Sequence, residues 1–456
     1  MSTIASISTA PGIGGIGIIR MSGENTFKVL DKIFIQKNPE DIEQIHGYTI
    51  KYGHIYDGEK IIDEVLVSFF KAPKSYTTED MCEINSHGGT VIMRKILELC
   101  LKNGAELAEP GEFTKRAFLG GRIDLSQAES IIDIINAKSD REAKEGIKQL
   151  EGFLSKKIND IKNNMIEIMT NIEVSIDYPE YDTPDITNNE IQEIIEKSRK
   201  SLEDLRKSFD NGKIIKEGIK TVIIGKPNAG KSSLLNAILK EERAIVTEIE
   251  GTTRDTIEEF ITINGIPLNL IDTAGIREAK DEVEMIGIEK SKTLANNADL
   301  IIAIFDSSKK FTKEDIEILE IAKNKKSIII LNKIDLEQKI TPENPKLRSF
   351  NKNIINLSAK NKIGLELLFD KITNMFNLNE INFDNDILIT NERHKNLISK
   401  AIENLDKAEN TLKNGMPVDI IAISLKDALS NLGAITGEEA GEEIINEIFK
   451  RFCLGK

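Results

Sequence analysis

Gly225-Lys226-Pro227-Asn228-Ala229-Gly230-Lys231-Ser232-Ser233 carries the spacing G-x-x-x-x-G-K-[ST], and its surroundings fit that motif. The apolar run at residues 221–224 reads as a buried strand, and Ser232-Ser233-Leu234-Leu235-Asn236-Ala237 opens a helix. Glycines in such a turn let backbone N–H groups close around a phosphate chain at a helix N-terminus, where the helix dipole also favours anions. Lys231 is then expected to reach the β- and γ-phosphates, and the Ser232 hydroxyl to ligate Mg²⁺.

Four further stretches narrow the nucleotide. Asn332-Lys333-Ile334-Asp335 follows the apolar run 328–331. A carboxylate there accepts from both the ring N–H and the exocyclic amine of guanine. Adenine has no such donor pair, and the unpaired carboxylate would cost roughly 1–3 kcal/mol or more. Ser358-Ala359-Lys360, after residues 354–357, suits a second base contact through backbone N–H. Asp272-Thr273-Ala274-Gly275 closes the strand-like run 268–271, placing Asp272 near the Mg²⁺ shell and the Gly275 N–H near the γ-phosphate. Gly251-Thr252-Thr253-Arg254-Asp255 offers Thr253 as a second hydroxyl on Mg²⁺. Together these describe a GTPase. The Ras-like pattern places a water-orienting glutamine after Asp-x-x-Gly; here Ile276 occupies that position and cannot do so.

The chain has 456 residues, enough for two to four domains. Its 40% hydrophobic and 30% charged residues are ordinary for globular protein, and its net charge of −14 argues against wholesale wrapping of nucleic acid. Cys82, Cys100 and Cys453 are too few for a disulfide framework, which fits a reducing compartment. No run has the 18 to 20 apolar residues of a membrane span, and residues 1–6 lack a signal-peptide pattern, so a cytoplasmic protein is expected.

Residues 1–119 mix β-like runs (16–19 and 65–70) with Gly- and Pro-marked turns, which predicts an α+β domain. Gly12-Ile13-Gly14-Gly15-Ile16-Gly17 superficially resembles a dinucleotide loop but runs into β-like sequence instead of a helix. Helical texture follows at 120–217. Ser126-Gln127-Ala128-Glu129 reads as a capping box. Ile147, Leu150, Leu154, Ile158, Ile161, Met165, Ile168 and Ile172 form one apolar stripe that predicts a single long helix. Residues 218–379 alternate strands and helices, as in a parallel sheet covered on both faces. Asn264-Gly265 adds a hairpin, hence one antiparallel edge. Residues 380–456 are helical again, with Thr436-Gly437-Glu438-Glu439 read as the cap of the last helix and Cys453 near a mobile end. The expected fold is multidomain: an N-terminal α+β domain, a discontinuous all-α domain, and an inserted α/β P-loop GTPase domain of Ras-like type.

Asn228, the Gly251–Asp255 stretch and Asp281-Glu282-Val283-Glu284-Met285-Ile286-Gly287-Ile288 resemble the MnmE (TrmE) family of tRNA-modification GTPases. The closing Cys453-Leu454-Gly455-Lys456 matches that family's Cys-x-Gly-Lys terminus, so the resemblance spans essentially the whole chain. It implies a folate-binding and dimerising N-terminal domain and a cytoplasmic homodimer. The implied partner is the flavoprotein MnmG (GidA), which carries FAD, in a heterotetramer or larger complex. It also implies modification at C5 of the wobble uridine of certain tRNAs by an aminomethyl or carboxymethylaminomethyl group. The one-carbon donor would be a tetrahydrofolate derivative, 5,10-methylene- or 5-formyl-.

The resemblance assigns GTP contacts to Asn228, Ala229, Gly230, Lys231, Ser232 and Ser233, and to Thr247, Glu248, Ile249, Glu250, Gly251, Thr252 and Thr253. It adds Asp272, Thr273, Ala274 and Gly275, then Asn332, Lys333, Ile334 and Asp335, then Ser358, Ala359 and Lys360. Mg²⁺ falls to Ser232 and Thr253, and K⁺ to Asn228, Thr247, Ile249 and Thr252. Glu284 is implied to position the attacking water, Cys453 to take part in modification, and Arg20, Glu83, Arg122 and Lys456 to bind folate. The competing expectation is a regulatory or ribosome-associated switch GTPase. Such a protein needs neither a folate domain nor a terminal cysteine.

Overall fold

The computed structural model describes residues 2–177, 188–239, 246–247, 259–263, 266–271, 294–323, 325–376 and 387–456. They divide into two compact units. One comprises Met1–Ile132, Gln149–Ile191 and Asn404–Lys456; the other comprises Asp133–Lys148 and Gln192–Glu403.

The first unit contains a seven-stranded sheet. Its strands are β1 (Ile4–Ile7), β2 (Gly14–Ser22), β3 (Phe34–Gln36), β4 (Thr49–Asp57), β5 (Lys60–Phe70), β6 (Met81–Gly88) and β7 (Glu106–Leu107), in the order β3-β4-β5-β6-β2-β1-β7. Alternation along the strands turns Ile19, Met21, Ile55, Val65, Val67 and Ile84 inward, because successive side chains point to opposite faces. The helices Thr26–Asp31 and Thr90–Lys102 complete that core with Phe27, Leu30, Met93, Ile96 and Cys100. β1 and β2 form an antiparallel hairpin around the Gly12–Gly17 stretch, which agrees with rejecting a strand-to-helix dinucleotide loop there. On the opposite face, register places Arg20 directly across from Glu83.

Three local expectations are corrected. The first helix of the helical region, Leu125–Ile135, is boxed by Asp124 and Gln127 instead of Ser126 and Glu129. Asp124 Oδ1 accepts the Gln127 N–H at 2.9 Å, and Gln127 Oε1 accepts the Asp124 N–H at 2.9 Å. Ser126 lies buried inside the helix, its hydroxyl 3.0 Å from that of Ser155. The single long helix is two, Asp140–Leu150 and Phe153–Asp177, parted at Gly152 with φ +84°. Leu154, Ile158, Ile161, Met165, Ile168 and Ile172 are buried, whereas Ile147 beyond the break is half-exposed. Thr436-Gly437 ends a helix instead of starting one: Val418–Thr436 stops at Gly437 in the left-handed conformation, and the last helix, Glu442–Lys450, begins after Gly441. Thr and Gly serve at either helix end, so their local signal is ambiguous.

Helix Phe153–Asp177 packs against Val418–Thr436, joining segments far apart in sequence. Phe118, Phe449 and Phe452 form an aromatic cluster beneath the chain end, with ring centroids 6.2 and 5.3 Å apart in sequence order.

The second unit is built on another seven-stranded sheet: β8 (Ile219–Ile224), β9 (Val246–Thr247), β10 (Glu259–Ile263), β11 (Ile266–Leu270), β12 (Leu300–Asp306), β13 (Ser327–Asn332) and β14 (Ile354–Leu357). The order is β14-β13-β12-β8-β11-β10-β9. The first five are parallel, and β10 and β9 add the antiparallel edge. β10 and β11 pair up to Ile263 and Ile266, so the strands flanking Asn264-Gly265 do form a hairpin; the two turn residues lie outside the described residues. Every residue of β12 and β13 is buried, as parallel strands between two helical layers must be. The helices Lys231–Leu239 and Leu365–Met375 share one core, while Lys313–Lys323 seals the other face. Among the described residues, no helix is long and apolar enough to cross a membrane.

Candidate functional site

The turns after β8, β13 and β14 gather at the C-terminal edge of the parallel strands, where open α/β sheets bind ligands. The phosphate loop leaves β8 and enters the helix Lys231–Leu239. Asn228 is exposed and left-handed at φ +59°, a conformation asparagine adopts more readily than most residues. Gly230 has φ +106°, and a Cβ there would fall 2.1 Å from Asn332 Nδ2. No other residue fits without displacing Asn332. The Lys231 ammonium folds over its own loop, donating to the carbonyls of Gly225 at 2.7 Å and Lys226 at 3.0 Å.

Asn332 joins the phosphate loop to the turns after β13 and β14. Its Nδ2 donates to the Ala229 carbonyl at 2.9 Å, and its Oδ1 accepts the Ala359 N–H at 3.1 Å. Asp335 is exposed, and Ser358 Oγ donates to its Oδ1 at 2.6 Å. That bond holds the Asp335 carboxyl below the usual carboxylate range, so it stays ionised. The Ala359 N–H is taken by Asn332, while Lys360, Asn361 and Lys362 of the same turn are exposed.

Two lysines fasten this region to the end of β12 and the segment after it. Lys333 Nζ lies 2.6 Å from Asp306 and donates to the Asn228 carbonyl at 2.8 Å. Lys226 Nζ lies 2.6 Å from Asp315. Burial alone would push the Asp306 carboxyl up; the bonds from Lys333 and Ser308 outweigh it and hold the group low. Neither Asp306 nor Asp315 belongs to a nucleotide motif, and sequence reasoning passed over both. Asp306 ends an apolar run and Asp315 sits among charged residues at a helix start, neither with a distinguishing pattern.

Thr247 lies on β9, with its backbone paired to Phe260. Glu248, Ile249, Glu250, Gly251, Thr252, Thr253, Asp272, Thr273, Ala274, Gly275 and Glu284 lie outside the described residues.

The first unit brings together a second group. Arg20 Nε and Nη2 both donate to Glu83 Oε1, at 3.0 and 2.8 Å, and Nη1 donates to the Gly455 carbonyl at 3.3 Å. Arg20 and Arg122 both lie over the Tyr76 ring, 5.3 and 4.8 Å from its centroid, and Arg122 also donates to the Tyr76 carbonyl at 3.3 Å. Two guanidinium groups share one aromatic ring, which gathers cationic groups suited to carboxylates. Tyr76 is therefore a member of this cluster that sequence reasoning missed; a lone tyrosine after Lys74-Ser75 has no motif.

The chain end is docked, which corrects the expectation of a mobile one. The Gly455 carbonyl accepts from Ser8 Oγ at 3.0 Å as well as from Arg20, and the Cys453 carbonyl accepts the Gly111 N–H at 3.4 Å. Gly455 has φ +84°, and a Cβ would strike the Ile7 carbonyl oxygen at 2.3 Å. Cys453 is exposed, whereas Cys82 and Cys100 are buried. Burial pushes the Cys100 thiol to about 12 and the Cys82 thiol well upward, so both are inert at neutral pH. His87 donates its backbone N–H to Asp63 at 2.8 Å, with its Nδ1 2.7 Å from the same carboxylate.

Residues 3–122 match the family model described as GTP-binding protein TrmE N-terminus, and residues 125–453 match that of the MnmE helical domain. The chain belongs to the MnmE (TrmE) family. The tRNA modification GTPase MnmE of Acetivibrio thermocellus is 50% identical over 458 residues, covering 100% of this chain and 99% of that relative. The MnmE of Clostridioides difficile is 50% identical over 454 residues, with the same coverage. Among solved structures, the G domain of the T. maritima FeoB iron transporter is 27% identical, covers 34% of this chain and 98% of its own, and has a TM-score of 0.26. Within the MnmE family frame, the inserted position of the GTPase sheet follows from one helical family model running on both sides of it.

Proposed function

We propose that this chain hydrolyses GTP to GDP and phosphate and uses that cycle in tRNA modification, at C5 of the wobble uridine, together with the FAD-carrying flavoprotein MnmG. The observation that carries the GTPase reading is Asn332, whose one amide ties the phosphate loop to the base-reading turns. Asp335, held ionised by Ser358, supplies guanine selection. The loop N–H groups and Lys231 are suited to the phosphates, and the Ser232 and Thr253 hydroxyls are assigned to Mg²⁺. Asn228, Thr247, Ile249 and Thr252 are assigned to K⁺; an exposed, left-handed Asn228 at the loop tip fits that role. The two cations supply positive charge that stabilises the charge developing in phosphoryl transfer. Glu284 positions water, taking the task that Ile276 cannot perform.

The division into segments 1–119, 120–217, 218–379 and 380–456, homodimerisation and folate binding by the N-terminal segment belong to the same reading. Arg20 and Arg122 suit the carboxylates of a tetrahydrofolate derivative, and Glu83 suits its pterin amino groups. Lys456 lies one residue beyond the Gly455 carbonyl that Arg20 holds. The one-carbon unit is what such a cofactor supplies. Cys453 is the exposed thiol beside this cluster.

The test combines two measurements. Bulk tRNA from a strain lacking this chain should lose its C5-modified wobble uridine. The purified protein should hydrolyse GTP at least tenfold faster in K⁺ than in Na⁺ at equal ionic strength, about 1.4 kcal/mol of barrier. Unaltered tRNA nucleosides would favour the switch-GTPase reading; equal rates in both salts would remove K⁺ from the mechanism.

A further inference from the structure

The phosphate loop is gripped on both sides of Pro227 by the last residue of β12 and the segment that follows it. On one side Lys226 Nζ reaches Asp315 Oδ2 at 2.6 Å and Thr312 Oγ1 at 2.9 Å, while Asp315 also accepts the Thr312 N–H at 2.8 Å. On the other, Lys333 Nζ bridges Asp306 Oδ2 at 2.6 Å and the Asn228 carbonyl at 2.8 Å. Pro227 between them has its own φ locked by the ring. The loop tip is thus determined from both ends, and what remains to vary at Asn228 is its side chain.

Asp306 is the fixed end of the second grip. It is the last residue of β12, paired in register with Asn332 on β13. Its side chain is 7% exposed. Its other oxygen, Oδ1, accepts from Ser308 Oγ at 2.6 Å and from the Ser308 N–H at 3.1 Å. A carboxylate buried to this degree is retained only with strong partners, and here one of them leads directly to the loop backbone. An ammonium with three donors has no preferred direction of its own; the aspartate supplies it.

We propose that Asp306 is a positioning residue for the K⁺ site, acting through Lys333 to hold the Asn228 backbone so that its side chain faces the cation. This rests on the assignment of Asn228 as a K⁺ ligand. Removing the Asp306 charge releases Lys333, frees the Asn228 carbonyl and lets the loop tip rotate. Cation affinity falls while the phosphate-facing N–H groups, anchored separately through Asn332, keep their place.

The experiment titrates K⁺ against GTP hydrolysis for full-length wild type, Asp306→Asn, Asp306→Glu and Ser308→Ala. Direct cation binding is read in parallel by thallium(I) NMR, thallium(I) replacing K⁺. Asp306→Asn should raise the K⁺ needed for half-maximal rate at least fivefold and weaken thallium(I) binding in parallel. Its rate at saturating K⁺ should recover to within about threefold of wild type. Asp306→Glu should restore much of the affinity, and Ser308→Ala should shift it by about twofold. Wild-type K⁺ and thallium(I) affinities in Asp306→Asn overturn the inference. If that variant fails to fold, judged by loss of binding to a fluorescent GDP analogue, unchanged affinities in Ser308→Ala overturn it instead. A wild-type protein with neither K⁺ activation nor thallium(I) binding overturns the potassium reading itself, a separate result.

Discussion

The nucleotide edge of the parallel sheet and the cationic cluster on the N-terminal sheet are assembled by different rules. At the nucleotide edge, each contributing turn carries its own signature, because a strand end, a glycine-permitted turn and a helix start recur wherever phosphate is bound. The sheet then lines the turns up, and Asn332 ties two of them together. In the N-terminal cluster no single residue is recognisable alone. Arg20 and Glu83 meet because β2 and β6 pair in one register, Tyr76 lies in a loop, and Gly455 arrives from the far end of the chain. Chemistry built from repeated local geometry leaves motifs at every turn; in the docked cluster only the chain end, Cys453-Leu454-Gly455-Lys456, does.

The strongest separation of the two regions is expected from Cys453→Ser. The serine hydroxyl is a far weaker nucleophile than a thiol at neutral pH. Modified wobble uridine should fall to background in cells carrying only this variant, while the purified protein keeps wild-type GTP turnover. Normal nucleoside profiles would remove Cys453 from the chemistry, and joint loss of both activities would make the docked end structural.

Next in size is Asp335→Asn, confined to the other region. An amide replaces an ionised acceptor, so GTP affinity should drop by about 100-fold, near 3 kcal/mol. Xanthosine triphosphate should gain relative to GTP, because the amide can donate to the new carbonyl. Competition binding with the two nucleotides decides it; an unchanged preference would show that another residue reads the base.

Tyr76→Leu probes the cluster without touching a charge. Losing the aromatic ring shared by two guanidinium groups is worth about 1 kcal/mol, so reduced-folate affinity measured by calorimetry should weaken about fivefold. GTP turnover should not change. Full folate affinity would mean that Arg20 and Arg122 are oriented by Glu83 and the loop backbone alone.

The smallest effect concerns stability. Glu142 is buried, and burial, with the nearby Asp133 charge adding to it, raises its carboxyl to about 7 despite the Lys138 N–H bond. Because the folded-state value lies above the ordinary one, the proton stabilises the fold below about pH 4.5, and that contribution is lost as pH rises through about 7. Glu142→Gln should therefore raise the melting temperature by a few degrees at pH 8 and leave it unchanged at pH 5. Equal shifts at both pH values would mean that the carboxyl is not protonated in the fold.

Periodicity and motifs made most of the architecture legible, and the failures are instructive. The stripe from Ile147 to Ile172 kept helical spacing across Gly152, so apolar pattern alone could not show that the chain turns there. Thr436-Gly437 and Ser126 were misplaced because Ser, Thr and Gly serve several positions around a helix end, and only the backbone around them selects which.

What the amino-acid sequence determined by itself is the set of local solutions: the phosphate loop, the Asn332–Asp335 turn, the buried parallel strands and the helical segments on either side. Each is dictated within a few residues by sterics, hydrogen-bonding capacity and apolar spacing. Tertiary structure alone decided the rest. It set the Arg20–Glu83 register, put both guanidinium groups over Tyr76, held the chain end through Gly455, and gripped the phosphate loop from Asp306 and Asp315. These depend on which strands pair and which segments meet, and that is set by the free energy of the whole packed chain instead of any short stretch of it.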